Sequence, residues 1–379
     1  MNIFEKHDME YYSGDSIWYV ERDSNILCRI DNNNVVFCGT IPYYGEIPYR
    51  MHPYCIHIDG LVICLPDIGE TIVTYDCKKE SFSEVKVNID MENIRLRISN
   101  FWIYNGRLWC VSQGLSCIIE FDYNSNEIVE YYRIFDNIDE SKCGYDSCMY
   151  DNKIFCISLI SPQIGIFDIE KKEYEYIKID VKEKGFNTIS VVDNEVFLSG
   201  YTKKVYSYNL LDGLIMSVDL NDLSVVSKTI KDNSYKQIDY PSPLFRCSIL
   251  TGNNLCYLPW YMLDTIPDSL VIIDRRTKKV KYLNIKKELF NCDIDETTSY
   301  LYFTRTFEEE KIEIYLDNSE KRIIEKRIVD TNSMDIKIDK ERVCSRVFSK
   351  HYLEEGLLKY ELYQNDLLEF VNKIKMISV

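Results

Sequence analysis

Positive charge is what this sequence is short of. Lys and Arg number 45 against 61 Asp and Glu, a formal net charge of −16. A field of that sign disfavours nucleic acid and anionic membrane surfaces, both of which need positive patches, so neither partner is expected. No uninterrupted run of 18 apolar residues occurs, which argues against a membrane-spanning helix. The opening "MNIFEKHDMEYYSGD" lacks a basic n-region followed by an apolar run, so no secretory signal is read there. Histidine is scarce: His7, His52, His57 and His351. His52 and His57 flank Cys55 but stand in no ligand set with metal spacing, so no metal is expected. CxxC, HExxH, GxSxG and Walker-type glycine loops are missing, which removes the redox, protease, hydrolase and nucleotide signatures. Catalytic residues are therefore unknown, and no cofactor is called for. Asp293 and Glu296 are close in sequence, but their spacing sets no acid–base distance.

What is present is globular: 46% apolar residues and 28% charged over 379 residues, with 30 Tyr, 16 Phe and 4 Trp. That aromatic load points toward strands. The fourteen Cys fall partly inside apolar runs such as "LVICL", "RLWCV" and "KIFCIS". Those positions suit small buried hydrophobes and not a disulfide framework. With the missing signal they favour a reducing, cytoplasmic location.

The chain repeats. "RLWCVSQGLSCIIEFDYNSNEIVEYYRI" aligns with "KIFCISLISPQIGIFDIEKKEYEYIKI", placing Asp168 under Asp122. Five further segments align likewise, with markers at Asp31, Asp76, Asn209, Asp274 and Asp317. The spacings are 45, 46, 46, 41, 65 and 43 residues, so seven copies are expected, one carrying an insertion. Each copy reads as four strands, for example 101–105, 107–112, 117–122 and 128–134. In the link between the third and fourth strands, the marker Asp is placed to accept backbone N–H bonds two residues on. A lone four-stranded sheet leaves two apolar faces bare, whereas radial stacking covers them. A pair of stacked sandwiches uses the same strands but does not require seven regular copies.

These repeats resemble the kelch/WD-type β-propeller superfamily from residue 9 to about 330, without a kelch "GG" pair or a repeated "WD" dipeptide. The expected fold is all-β: a seven-bladed propeller over 1–347 with blades near 9–41, 52–89, 98–136, 145–180, 186–230, 244–286 and 296–330. After it, 348–379 is expected to form a C-terminal helical extension packed on the propeller. Within it Tyr360, Tyr363, Leu367, Phe370, Val371 and Ile374 make one apolar stripe. The resemblance places the links between blades, and those between second and third strands, on one face around a central channel. The segment 212–240 reads as an elongated outer strand with a wandering crossover.

On that face the sequence places Arg50, Arg97, Lys142, Lys184 and Arg246, each shortly before an inner strand, with Trp102 opening one. Trp260 and Tyr261 lie in the longest insertion. Such cations offer contacts to carboxylate or phosphate, although Glu92, Glu140, Asp146 and Glu183 stand among them as candidate neutralisers. The expected role is a binding scaffold for a protein or acidic peptide partner, or an anionic small molecule. The alternatives are a lyase or glycan-processing hydrolase over the channel, with His52 contributing, and a self-assembling structural protein. The oligomeric state is not readable.

Overall fold

The structure, a computed structural model, describes residues 10–13, 16–21, 25–31, 34–43, 51–67, 69–86, 96–135, 143–228, 235–237, 243–251, 253–259, 265–267, 269–284, 293–296, 300–305, 310–315 and 321–326. The expected C-terminal helix lies outside these residues. Among them no helix is long and apolar enough to cross a membrane.

Seven antiparallel four-stranded sheets follow one another along the chain. The first holds β1 (Glu10–Ser13), β2 (Ser16–Glu21), β3 (Ile26–Asp31) and β4 (Asn34–Thr40). The second holds β5 (Tyr54–Ile58), β6 (Leu61–Leu65), β7 (Thr71–Asp76) and β8 (Ser81–Lys86). The third, where the repeat is clearest, holds β9 (Ile98–Tyr104), β10 (Arg107–Ser112), β11 (Cys117–Asp122) and β12 (Glu127–Arg133). The fourth is β13 (Cys143–Tyr150), β14 (Lys153–Ser158), β15 (Gln163–Asp168) and β16 (Glu173–Lys178). The fifth is β17 (Phe186–Val192), β18 (Glu195–Gly200), β19 (Lys204–Asn209) and β20 (Ile215–Asp219).

Beyond the fifth sheet the chain departs from the expected elongated strand. β20 stops at Asp219, and β21 (Val225–Lys228) and β22 (Tyr235–Gln237) form a hairpin. β21 also pairs with β25 (Thr265–Pro267), giving a separate three-stranded sheet. β25 lies in the insertion of the sixth sheet, which is β23 (Phe245–Thr251), β24 (Asn254–Pro259), β26 (Ser269–Asp274) and β27 (Val280–Asn284). The seventh is β28 (Asp293–Glu296), β29 (Tyr300–Arg305), β30 (Glu310–Tyr315) and β31 (Lys321–Lys326).

Strand alternation explains why the sheets stack. Successive side chains point to opposite faces, so β10 sends Leu108 and Cys110 into one core and Trp109 and Val111 into another. The first core is shared with Ile63 and Leu65 of β6, the second with Ile154 and Cys156 of β14. β14 repeats the pattern, giving Phe155 and Ile157 to a core shared with β17 and β18. Each middle strand thus feeds two different seams, which paired sandwiches would not allow. Cys110 and Cys156 are fully buried in these seams, and Cys64 in the one between the first and second sheets. The described cysteines are free thiols, and burial pushes that of Cys117 up to about 12.

The turns carry the repeat as well. Between first and second strands, Asp59 and Gly60, Asn105 and Gly106, Asp151 and Asn152, and Asp193 and Asn194 all have positive φ. Two such residues in a row form the tight turn whose twist matches the flanking strands. Between third and fourth strands the five described markers from Asp76 to Asp274 act as expected. Asp76, Asp122, Asp168 and Asp274 each accept the N–H groups two and three residues on, at 2.7–3.3 Å. Asn209 accepts the N–H of Leu211 at 2.8 Å. These bonds hold Asp76, Asp168 and Asp274 below the ordinary carboxylate range. At Asp122 partial burial pulls upward, and the N–H groups of Ser125 and Asn124 outweigh it. Four residues after each of these five markers the chain turns left-handed, at Glu80, Asn126, Lys172, Gly213 and Lys278.

That left-handed residue also fastens neighbours. Asn126 accepts the Thr74 hydroxyl at 2.9 Å, reaching from the third sheet to the second. Lys172 crosses from the fourth sheet to Glu120 of the third at 2.8 Å, and Lys278 crosses from the sixth to Glu195 of the fifth at 3.3 Å.

Candidate functional site

Two kinds of link meet at one end of the sheets. The segment entering β9 is pinned between two second-to-third-strand turns. Arg97 N–H donates to Asp67 O at 2.9 Å and Ile98 N–H to Pro66 O at 2.9 Å, while Gln113 N–H donates to Arg97 O at 3.0 Å. The same pairing recurs where Ile179 N–H reaches Pro162 O (2.8 Å) and Leu220 N–H reaches Lys203 O (2.8 Å). The three-stranded sheet belongs to this end too, since β21 lies in an inter-sheet link and β25 in a second-to-third-strand link. It is anchored by Leu223 and Val225, which pack with Leu244 and Phe245.

At this end four consecutive first strands are bulged, always from their second residue. Val111 pairs with Asn100 and Ser112 with Ile98, so Ser99 is skipped. In β17 the skipped residue is Asn187, and in β23 it is Arg246. In β13 the shift lies between Cys143 and Ser147, leaving Gly144, Tyr145 and Asp146 opposite Ile157. Gly144 is required there, because a Cβ would stand 2.7 Å from Ile157 Cγ1. A bulge re-aims side chains and interrupts pairing. Here the residue before each bulge is a buried apolar anchor (Ile98, Cys143, Phe186 or Phe245), and polar groups follow.

First strands are sheet edges, so the N–H groups turned away from the second strand need other acceptors. Asp146 supplies one. Its Oδ2 accepts the N–H of Ile189 on β17 at 3.0 Å and of Ser248 on β23 at 3.3 Å. One carboxylate therefore ties β13 to two neighbouring first strands. Asp146 is 8% exposed. Burial pushes its carboxyl up to about 7, against the pull of the N–H groups of Ile189, Ser248 and Ser147. Around it the Ser190 and Ser248 hydroxyls bond at 2.8 Å, and the Asn100 amide oxygen accepts from the Ser147 N–H and hydroxyl at 3.1 and 3.0 Å. Asn187 Nδ2 donates to Phe245 O at 2.5 Å, while its Oδ1 is buried without a partner among the described residues. Burial, and secondarily Asp146, pushes up the Cys148 thiol and the Tyr257 hydroxyl.

The residues expected from sequence distribute as follows. Arg97 has φ +49 and its half-exposed guanidinium faces Asp67 at 3.7 Å. Lys184 lies over the Tyr201 ring at 5.4 Å. Trp102 pairs across strands with Trp109 and packs in the seam between the third and fourth sheets. Arg246 is the bulge residue of β23. Arg50, Lys142, Trp260 and Tyr261 lie outside the described residues, as do Glu92 and Glu140. Of the candidate neutralisers, Glu183 accepts from Tyr201 N–H at 3.2 Å and from the Thr202 and Tyr206 hydroxyls. Asp146 is committed to the backbone as above.

His52 is 1% exposed. Its Nε2 donates to Thr71 O at 3.0 Å and its Nδ1 accepts from Asn25 Nδ2 at 3.2 Å. Burial pushes its pKa down to about 4 despite the Thr71 bond, so the ring stays neutral. Among the described residues no group of three His, Cys, Asp or Glu side chains is placed to hold a metal.

No protein-family model matches the chain, and no curated protein matches it in sequence. Solved structures do match in shape. A streptogramin B lyase superposes with a TM-score of 0.52 at 13% identity, covering 81% of this chain and 92% of its own. Hsv2 of Kluyvelomyces marxianus gives 0.52 at 10% identity, over 86% and 99%. A chain of the mitotic checkpoint complex gives 0.50 at 9% identity, over 80% and 88%. The fold is a seven-bladed β-propeller. Its four-stranded sheets are the blades, and the bulged first strands are those lining the channel. At these identities the likeness extends to the fold and no further.

Proposed function

We propose that this propeller is a binding scaffold that recognises a protein or acidic peptide, or a smaller anionic ligand, through the loop face around its channel. The observation that carries this reading is the run of bulges on four consecutive first strands. Arg97, Lys142, Lys184 and Arg246 each stand on a bulge or within three residues before one in sequence. Bulges recur where a sheet re-aims side chains for function, and cations recurring in sequence at these bulges, in a −16 chain, are a local departure suited to carboxylates. The free, buried thiols support a reducing compartment such as the cytoplasm.

The enzyme reading, a lyase or glycan-processing hydrolase, needs an available histidine or paired carboxylates beside Arg50 or Arg246. His52 is sealed, neutral and doubly hydrogen-bonded, which counts against it. The self-assembly reading rests on 348–379, and no observation favours it.

The test is fluorescence anisotropy with a labelled hexaglutamate peptide at low salt. Saturable binding is expected, weakening with salt and falling about tenfold when Lys184→Glu and Arg246→Glu are combined. No saturable binding, or binding indifferent to both reversals, would overturn the reading.

A further inference from the structure

We propose that ligand binding at the loop face is proton-linked through Asp146, which admits an anionic ligand when neutral and repels it when ionised. This rests on the acidic-ligand reading above and adds its regulation.

The geometry begins with position. Asp146 is the last residue of the β13 bulge, at the loop end of a channel-lining strand. Lys142 precedes that strand, and Arg246 stands on the bulge of β23, two residues before the Ser248 N–H that Asp146 accepts. Its carboxylate therefore lies among three first strands at their bulged end, the end that the proposed ligand would cover. Being buried, it is shielded poorly by salt and solvent, so its charge acts strongly on a ligand above.

The groups facing it leave Asp146 as the titrating member near neutral pH. On its own strand the neighbour is Cys148, and on β24 it is Tyr257; both are driven toward their neutral forms by burial first and by Asp146 second. Cys156 on β14 is buried and pushed the same way. β17 carries no charged side chain, and β9 ends in Tyr104, whose hydroxyl donates to Glu170 at the far end. On β23 the titratable or charged residues are Arg246 and Cys247. Asp146 itself changes charge near pH 7, because burial outweighs the three N–H groups.

Thermodynamic reciprocity fixes the consequence. If the ionised form repels the ligand, the ligand raises the proton affinity of Asp146, and binding above pH 7 takes up one proton. The hexaglutamate is N-acetylated, so it has no amine that titrates between pH 6 and pH 8, and its carboxylates are ionised at both; its own charge does not confuse the comparison.

Wild type and Asp146→Asn are titrated with hexaglutamate at pH 6 and pH 8 by calorimetry, in two buffers of different ionisation heat. The expectation for wild type is affinity about tenfold weaker at pH 8, with uptake of about one proton there. Asp146→Asn, neutral throughout, is expected to bind at pH 8 as wild type does at pH 6. A carboxyl carbon NMR titration of the free wild-type chain reads Asp146 directly, without any variant. Binding that is equal at both pH values, or an Asp146 signal that titrates near pH 4, overturns this inference and leaves the acidic-ligand reading standing. Absence of binding at both pH values overturns both.

Discussion

Replacing Asp146 with Asn should change how the stability of the free propeller depends on pH. In the unfolded chain this carboxyl titrates near 3.8, and in the fold it titrates at about 7. Between those values the folded state keeps a proton that the unfolded state has released. Stability from this group is thus fully present below pH 3.8, declines as pH rises, and is gone above about pH 7. A gap of about three units, at 1.36 kcal/mol each, amounts to about 4 kcal/mol. Asp146→Asn keeps an acceptor for the Ile189 and Ser248 N–H groups but cannot ionise, so its stability should lack that decline. The assay is urea denaturation of both proteins at pH 5, 6, 7 and 8, comparing midpoints. The marker carboxylates do not interfere, since their lowered pKa values confine their effect to below about pH 4, where they lose stability as pH falls. If the two proteins show parallel curves from pH 5 to pH 8, the buried carboxyl is ionised throughout and the reasoning fails.

Other perturbations read the seams. Lys172→Met leaves the Glu120 carboxylate, 5% exposed, with only the Tyr132 hydroxyl at 2.8 Å; a loss of about 1–2 kcal/mol is expected after allowing for the half-exposed ammonium, and adding Glu120→Gln should recover part of it in a double-mutant cycle. Gly185→Ala would drive a Cβ into the Leu159 carbonyl, so it should lower the melting temperature more than Gly106→Ala. Gly106 has open space and a φ of +70 alone to accommodate, a cost of about 1 kcal/mol. Phe121→Ala, fully buried in the seam between the second and third blades, should cost about 3–5 kcal/mol by chemical denaturation.

The parts of this architecture that are local in sequence were legible in it. Asp168 bonds residues only two and three places on, so the turn is written in "DIEKK" itself, and Trp109, Cys110 and Phe121 read as seam residues because their equivalents in other blades are apolar too. Asp146 was not legible in its role. In "KCGYDSCMY" it reads as a loop acid near a cation set, because nothing in that string reveals a shift in register against β14. A bulge is a property of two strands, and the partners of Asp146 lie 43 and 102 residues away. The pairing of β21 with β25 was hidden for the same reason, since it joins two insertions that belong to different blades. The seam position of Trp102 follows from its register with Trp109 and not from its place at the start of a strand.

The central claim is that ligand engages the bulged end of the channel. Amide hydrogen exchange with and without saturating hexaglutamate tests it most directly. Protection is predicted at 96–100, 143–148, 183–189 and 243–248, with no change at the opposite turns formed by Asn105 and Gly106 and by Asp151 and Asn152. Protection confined to those opposite turns, or to the outer strands β12 and β16, would contradict the account.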